Sequence, residues 1–144
     1  MTQANELRVG NLVTYNPLSV DEGTPIIPLS ISCVDNQIGV ILDDGFTNCY
    51  TWDEILPIEL TEEILFKFGF VSTSIQGDIL TLFLSDSDKD EFSRQRIDFW
   101  KNNQDGKVEL CRGGVCFKMV ICKYVHQLQN LFFCLTYKEL ECSI

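Results

Sequence analysis

Apolar residues recur at helical spacing in one long stretch near the end of the chain. Val125, Leu128, Leu131, Phe132 and Leu135 make a broad stripe, with His126, Gln127, Gln129 and Asn130 between them. The spacing predicts an amphipathic helix from Tyr124 to Thr136, its polar residues mostly facing away from whatever the stripe covers. The same stripe suits a core or a homo-oligomer interface, and sequence does not separate the two. Thr136 and Glu139 match a capping box for a short last turn. A second helix is predicted after Thr61, which can cap it. Glu62 and Glu63 fall in the first turn, Ile64, Leu65 and Phe68 form the buried side, and Gly69 is the stop.

The remaining patterns are those of strands. Leu7 to Tyr15, broken at Gly10, then Leu29 to Val34, Gln37 to Leu42, Phe46 to Trp52 and Asp53 to Ile58 are short apolar runs separated by turn residues. Asp43-Asp44-Gly45 reads as a hairpin turn. Short strands with tight turns over residues 1–60 predict a small SH3-like β-barrel. Ile79 to Leu84 and Phe92 to Trp100 are further strands, separated by the acidic loop Ser85–Glu91. Gly113-Gly114 predicts a two-residue hairpin pairing Arg112 with Val115, Cys111 with Cys116, Leu110 with Phe117, Glu109 with Lys118 and Val108 with Met119. In that register Val108, Leu110, Val115, Phe117, Met119 and Ile121 share the core side, which the final helix should cover. Glu109, Cys111, Cys116, Lys118, Val120 and Cys122 share the other. The expected fold is α+β: an SH3-like barrel over 1–60, then, over 61–144, a linking helix and an antiparallel sheet covered by the C-terminal helix, all packed as one compact unit.

Composition narrows the function classes. At 144 residues and 45% hydrophobic the chain can bury a core without covalent staples. No apolar run approaches the ~20 residues of a membrane span, so no membrane role is expected. Residues 1–8 lack a basic segment followed by an apolar one, so the expected location is the cytoplasm. Seven cysteines without a Cys-x-x-Cys fit reduced thiols there. The net charge is −10. Residues 1–60 hold nine acids against one base, whereas residues 92–123 hold seven bases against three acids. Nucleic acid is not an expected partner of the acidic part, while an anionic ligand would prefer the basic stretch.

Three segments carry a family resemblance. Asn5-Glu-Leu-Arg-Val-Gly-Asn-Leu-Val13, Leu60-Thr-Glu-Glu-Ile-Leu-Phe-Lys-Phe-Gly-Phe70 and Lys123-Tyr-Val-His-Gln-Leu-Gln-Asn-Leu-Phe-Phe-Cys-Leu-Thr-Tyr-Lys-Glu-Leu140 together span 38 of the 144 residues. In this order they resemble the opening, central helix and closing signature of a family of small proteins of Bacteroidota and of their bacteriophages and prophages. The resemblance implies an origin, a shared architecture and a host cytoplasm as location. It brings no activity, cofactor or site residue. Tyr137 departs from the pattern, standing where a glycine is usual, and the Asp21–Pro28 loop is long.

No catalytic constellation accompanies these elements. The single histidine, His126, lies beside the helix stripe with no nucleophile motif. Asp86, Asp88 and Asp90 alternate as in a calcium loop but lack its glycine and distal glutamate. Cys111, Cys116 and Cys122 share a face, yet Cys122 stands ~20 Å along the strand from Cys116; no metal or other cofactor is expected. Two binding roles remain. One is a non-enzymatic protein acting on a host cytoplasmic protein, a defence antagonist in the phage setting. It would present Asp43, Asp44, Asp53 and Glu54 to a basic surface. The alternative is sequestration of an anionic, nucleotide-like small molecule by Arg94, Arg96, Arg112 and Lys118 between aromatic walls of Phe92, Phe99 and Trp100.

Overall fold

The structure is a computed structural model that describes residues 6–15, 29–35, 39–42, 49–84, 94–102 and 106–142. Asp43, Asp44, Phe92 and the Ser85–Glu91 loop lie outside the described residues. The fold is mixed α+β, built from two five-stranded antiparallel sheets. The chain divides into two compact units, Met1–Glu59 with Tyr124–Glu139, and Leu60–Lys123 with Leu140–Ile144.

In the first unit, β1 (Leu12–Tyr15), β2 (Leu29–Asp35), β3 (Gly39–Leu42), β4 (Cys49–Thr51) and β5 (Ile55–Leu56) form a sheet in the order β4-β3-β2-β1-β5. Among the described residues no pairing joins β4 to β5, so the sheet is open where a closed barrel was expected. Leu7, Val13, Ile31, Leu42 and Ile55 form its core, with Tyr15, Tyr50 and Trp52 packed against them. Gly39 has φ +150° and passes so close to β4 that a Cβ there would stand 1.8 Å from the Tyr50 carbonyl oxygen. Only glycine permits that approach.

The C-terminal helix, α2 (Val125–Thr136), contacts β1. This corrects the expectation that it covers the other sheet. Its docking depends on the residues expected to face away. His126 and Gln129 are buried with Val125 and Leu128, while Leu131, Phe132 and Leu135 are only half-buried. The Gln129 amide accepts from the Leu12 N–H at 2.8 Å and donates to the Gly10 carbonyl at 3.3 Å. Asn130 accepts from the Asn11 side chain at 2.9 Å and donates to the Glu6 carbonyl at 2.6 Å. Gly10 and Asn11 already bond the Ile31 backbone of β2, and these amides satisfy the groups that this pairing leaves over. The helix ends at Tyr137 in the left-handed conformation, φ 56°, where a glycine would carry no strain. The last helical turn predicted beyond it does not form. Thr136 Oγ1 accepts from the Lys138 N–H, and Glu139 pairs with Arg8 instead.

The second unit opens with the predicted short helix, α1 (Glu62–Lys67), capped by Thr61 Oγ1 accepting from the Ile64 N–H at 3.3 Å. Its sheet has the order β10-β9-β8-β7-β6, from β6 (Val71–Ser72), β7 (Ile79–Phe83), β8 (Gln95–Trp100), β9 (Lys107–Arg112) and β10 (Val115–Ile121). Leu65, Phe68, Phe70, Leu80, Leu82, Ile97, Val108 and Leu110 are its buried apolar residues.

The hairpin β9–β10 follows the predicted register only through Cys111–Cys116. A bulge at Phe117 then shifts the pairing by one, giving Lys118 opposite Leu110, Met119 opposite Glu109 and Val120 opposite Val108. One extra residue exchanges the two faces of a strand. Lys118 and Val120 therefore join the Val108–Leu110 face, and the Glu109–Lys118 pair does not form. Val115, Phe117, Met119 and Ile121, expected inside, are exposed at 68%, 58%, 56% and 58% on an edge strand.

Candidate functional site

Strand alternation gathers the second unit's chemistry on the sheet face opposite Leu80, Ile97 and Leu110. Cross-strand pairing sets Thr81 opposite Asp98, Asp98 opposite Glu109, Arg96 opposite Cys111 and Cys111 opposite Cys116. The result is one continuous polar strip. Thr81 Oγ1 donates to Asp98 Oδ1 at 2.7 Å, so the 2.8 Å contact between Thr73 and Thr81 runs as a donation from Thr73. Arg96 Nε donates to both Asp98 oxygens, at 3.0 and 3.2 Å. Asp98 and Thr81 are buried. Cavities of about 280 Å³, walled by Thr81, Phe83, Arg96 and Asp98, and of about 250 Å³, walled by Trp100, Asn102, Lys107 and Glu109, open on this face.

The strip ends in two thiols and a carboxylate. The Cys116 thiol donates to Glu109 Oε2 at 3.1 Å. One ligand atom from each of Glu109, Cys111 and Cys116 lies within 4.8 Å of the others. Burial pushes the Cys111 thiol well up, and the Cys116 contact and the Asp98 charge add to it. Burial also raises Cys116, with Glu109 adding and the Cys111 contact opposing. Cys122, the third thiol of the sequence-based set, is buried apart from them, its pKa pushed up to about 11 by burial.

The anion-binding set does not converge. Arg94 lies over the Phe83 ring and Arg96 is held by Asp98, both on the polar face. Arg112 stands opposite Gln95, and Lys118 opposite Leu110, on the other face. Phe99, opposite Leu80 and Val108, lies on that other face as well, whereas Trp100 walls the 250 Å³ cavity. The bulge separates Lys118 from Arg94 and Arg96, and a bulge leaves no mark in the hydrophobic pattern. Of the acidic set, Asp53 is exposed, while the Glu54 carboxylate accepts from the Thr51 N–H and hydroxyl and so closes its own turn. The grouping that sequence reading missed is Glu109 with Cys111 and Cys116. Strand alternation placed them on one face, but Glu109 was assigned to Lys118.

His126 is fully buried, stacked on Tyr124 at 5.8 Å between centroids, with the Glu6 carboxylate 3.5 Å from Nε2. The Glu6 contact lies in ion-pair range but is not aligned as a hydrogen bond, and among the described residues neither ring nitrogen has a hydrogen-bond partner. Burial depresses its pKa below 6.5, with Glu6 opposing in part. The unfolded chain thus binds the proton more readily than the folded one. Stability from this group is complete above pH 6.5 and is lost as pH falls through the depressed value. The urea midpoint of the first unit should fall between pH 7 and about pH 5, above the main carboxylate range, and His126→Gln should flatten that slope. An unchanged slope in the variant would assign it to other groups.

No helix among the described residues is long and apolar enough to cross a membrane. No protein-family model matches the sequence, and no curated protein or solved structure matches it either.

Proposed function

We propose that this chain is a non-enzymatic binding protein of the cytoplasm that takes up an extended, apolar segment of a protein of net basic charge along the outer edge of β10. The observation that carries this is the exposed apolar edge strand. Among the described residues β10 pairs only with β9, and four of its seven side chains are large, apolar and more than half exposed. Such an edge is a template for strand addition, with backbone bonds supplying affinity and alternate side chains specificity. A second copy is the poorer occupant. Antiparallel self-pairing about the strand centre sets Lys118 against Lys118, and each copy carries a net charge of −10. A basic partner is steered by the same charge. The open sheet of the first unit, with β1 between β2 and β5, supports an SH3-like reading of that unit. The resemblance to phage and prophage proteins, through the origin it implies, is compatible with a host protein as partner and a role as defence antagonist.

The test is affinity capture from host lysate with wild type and with Phe117→Glu/Met119→Glu, followed by crosslinking from position 117. Burying two such side chains contributes roughly 1.5–3 kcal/mol each, so the double variant should bind one basic protein at least about tenfold more weakly, and the wild-type crosslink should map to an extended segment of it. Capture indifferent to the variant, or a retained anionic small molecule in place of a protein, would overturn the proposal. So would a dimer that the variant converts to monomer, because the occupant would then be a second copy.

A further inference from the structure

We infer that Glu109, Cys111 and Cys116 form a binding site for a zinc-like divalent cation, which clips the β9–β10 hairpin through two thiolates and one carboxylate. This does not depend on the proposed partner. The three ligand atoms already lie within 4.8 Å of one another. Bond lengths of 2.3 Å to sulfur and about 2.1 Å to oxygen in a tetrahedral site set ligand atoms about 3.6–3.8 Å apart. The widest pair therefore has to close by about 1 Å at most, and the 3.1 Å Cys116–Glu109 contact has to open by about 0.5 Å. Cys116 is exposed and turns about χ1, and Glu109 is half-buried on a long side chain, so both can move without disturbing the core. Cys111 is buried and fixed, which gives the site one rigid anchor and two adjustable ligands.

The local charge calls for a cation at this point. Asp98 and Glu109 stand directly opposite on the same face, an arrangement that disfavours folding unless positive charge lies between or beside them. Arg96 answers Asp98 through both carboxylate oxygens, which also uses the guanidinium charge nearest the thiols. Among the described residues the Glu109 carboxylate accepts from the Cys116 thiol, the hydrogen bond that a bound cation would replace. Two sulfurs and an oxygen match the borderline softness of zinc; a monovalent soft ion would leave out the carboxylate, and a hard ion would leave out the thiols. Binding displaces one proton from each thiol to solvent, and the fourth position is filled by water from the 250 Å³ cavity that Glu109 lines.

The probe is Co²⁺, titrated into the full chain under a non-thiol reductant and then displaced by Zn²⁺. One equivalent should give tetrahedral ligand-field bands and sulfur-to-cobalt charge transfer, both removed by Zn²⁺. Removing a ligand outweighs the 10–100-fold typical of losing an outer-shell partner, so Cys116→Ser should weaken binding more than about a hundredfold and cut the charge-transfer intensity. Glu109→Gln should weaken binding while leaving that intensity in place, and Cys134→Ser should change nothing. Cys116 and Glu109 are the variants of choice because neither is buried. No tetrahedral cobalt signal in the wild type would overturn the inference, as would a full signal in Cys116→Ser, which would place the metal on other cysteines.

Discussion

Gln129→Ala is expected to destabilise the first unit by about 2–4 kcal/mol, far more than a polar helix residue removed from a solvated face. Gln129 is 2% exposed. Its amide satisfies the Leu12 N–H and the Gly10 carbonyl, on a segment 117–119 residues away in sequence. Truncation leaves a buried donor and a buried acceptor without partners, each at roughly 1–3 kcal/mol. Loss of packing adds to this, while relaxation of the exposed side of the loop subtracts. Asn130→Ala should cost less, since Asn130 is half-buried and water can replace part of what it offers. The two tryptophans make the measurement clean, because Trp52 lies in the first unit and Trp100 in the second. In a Trp100→Phe background, urea unfolding followed by Trp52 fluorescence reads the first unit alone. A change below about 0.5 kcal/mol, the range of a surface substitution, would show that the helix is held by its apolar stripe and not by its amides.

That expectation marks where sequence reading stops. The apolar stripe was legible because helical spacing repeats locally: Val125 and Leu128 are buried as their spacing requires. The burial of Gln129 was not legible, because it is set by the Leu12 N–H and the Gly10 carbonyl, far away in sequence, and such need has no periodic signature. The same division holds in the second unit. Thr61 and Gly69 mark both ends of a helix through local chemistry, and both act as predicted. Gly113-Gly114 fixes the hairpin turn and the Cys111–Cys116 pairing. Beyond that, Val115, Phe117, Met119 and Ile121 alternate so regularly that the pattern demands one buried face. The bulge at Phe117 and the strand's place at the sheet edge overrule it. In the shifted register Val120, not Met119, meets Val108. Glu109 joins the two thiols only because the bulge removes Lys118, so the metal-ligand grouping became visible with the register and not before it.

Asp98→Ala is expected to cost the second unit about 3–5 kcal/mol, the largest single effect foreseen outside the apolar core. The side chains of Asp98 and Arg96 are 10% and 25% exposed, so the pair is only weakly screened by solvent. Removing the carboxylate strands the guanidinium among Phe83, Cys111 and Thr81 and leaves the Thr81 hydroxyl without its acceptor. Breaking a buried pair at one partner typically has this magnitude. One term has the opposite sign, because Asp98 faces Glu109 across the strands and its loss relieves a like-charge contact. That relief is roughly 0.2–1 kcal/mol and does not decide the outcome. Asp98→Asn, which keeps an acceptor for Thr81 but no charge for Arg96, should fall between wild type and Ala. Replacing both partners, as Arg96→Met/Asp98→Leu, should recover most of the loss, since no unpaired charge is then left behind. Unfolding followed by Trp100 fluorescence in a Trp52→Phe background measures each variant. Were the double variant as unstable as Asp98→Ala, the loss would lie in packing or in Thr81, and the ion pair would not be what holds this face of the sheet.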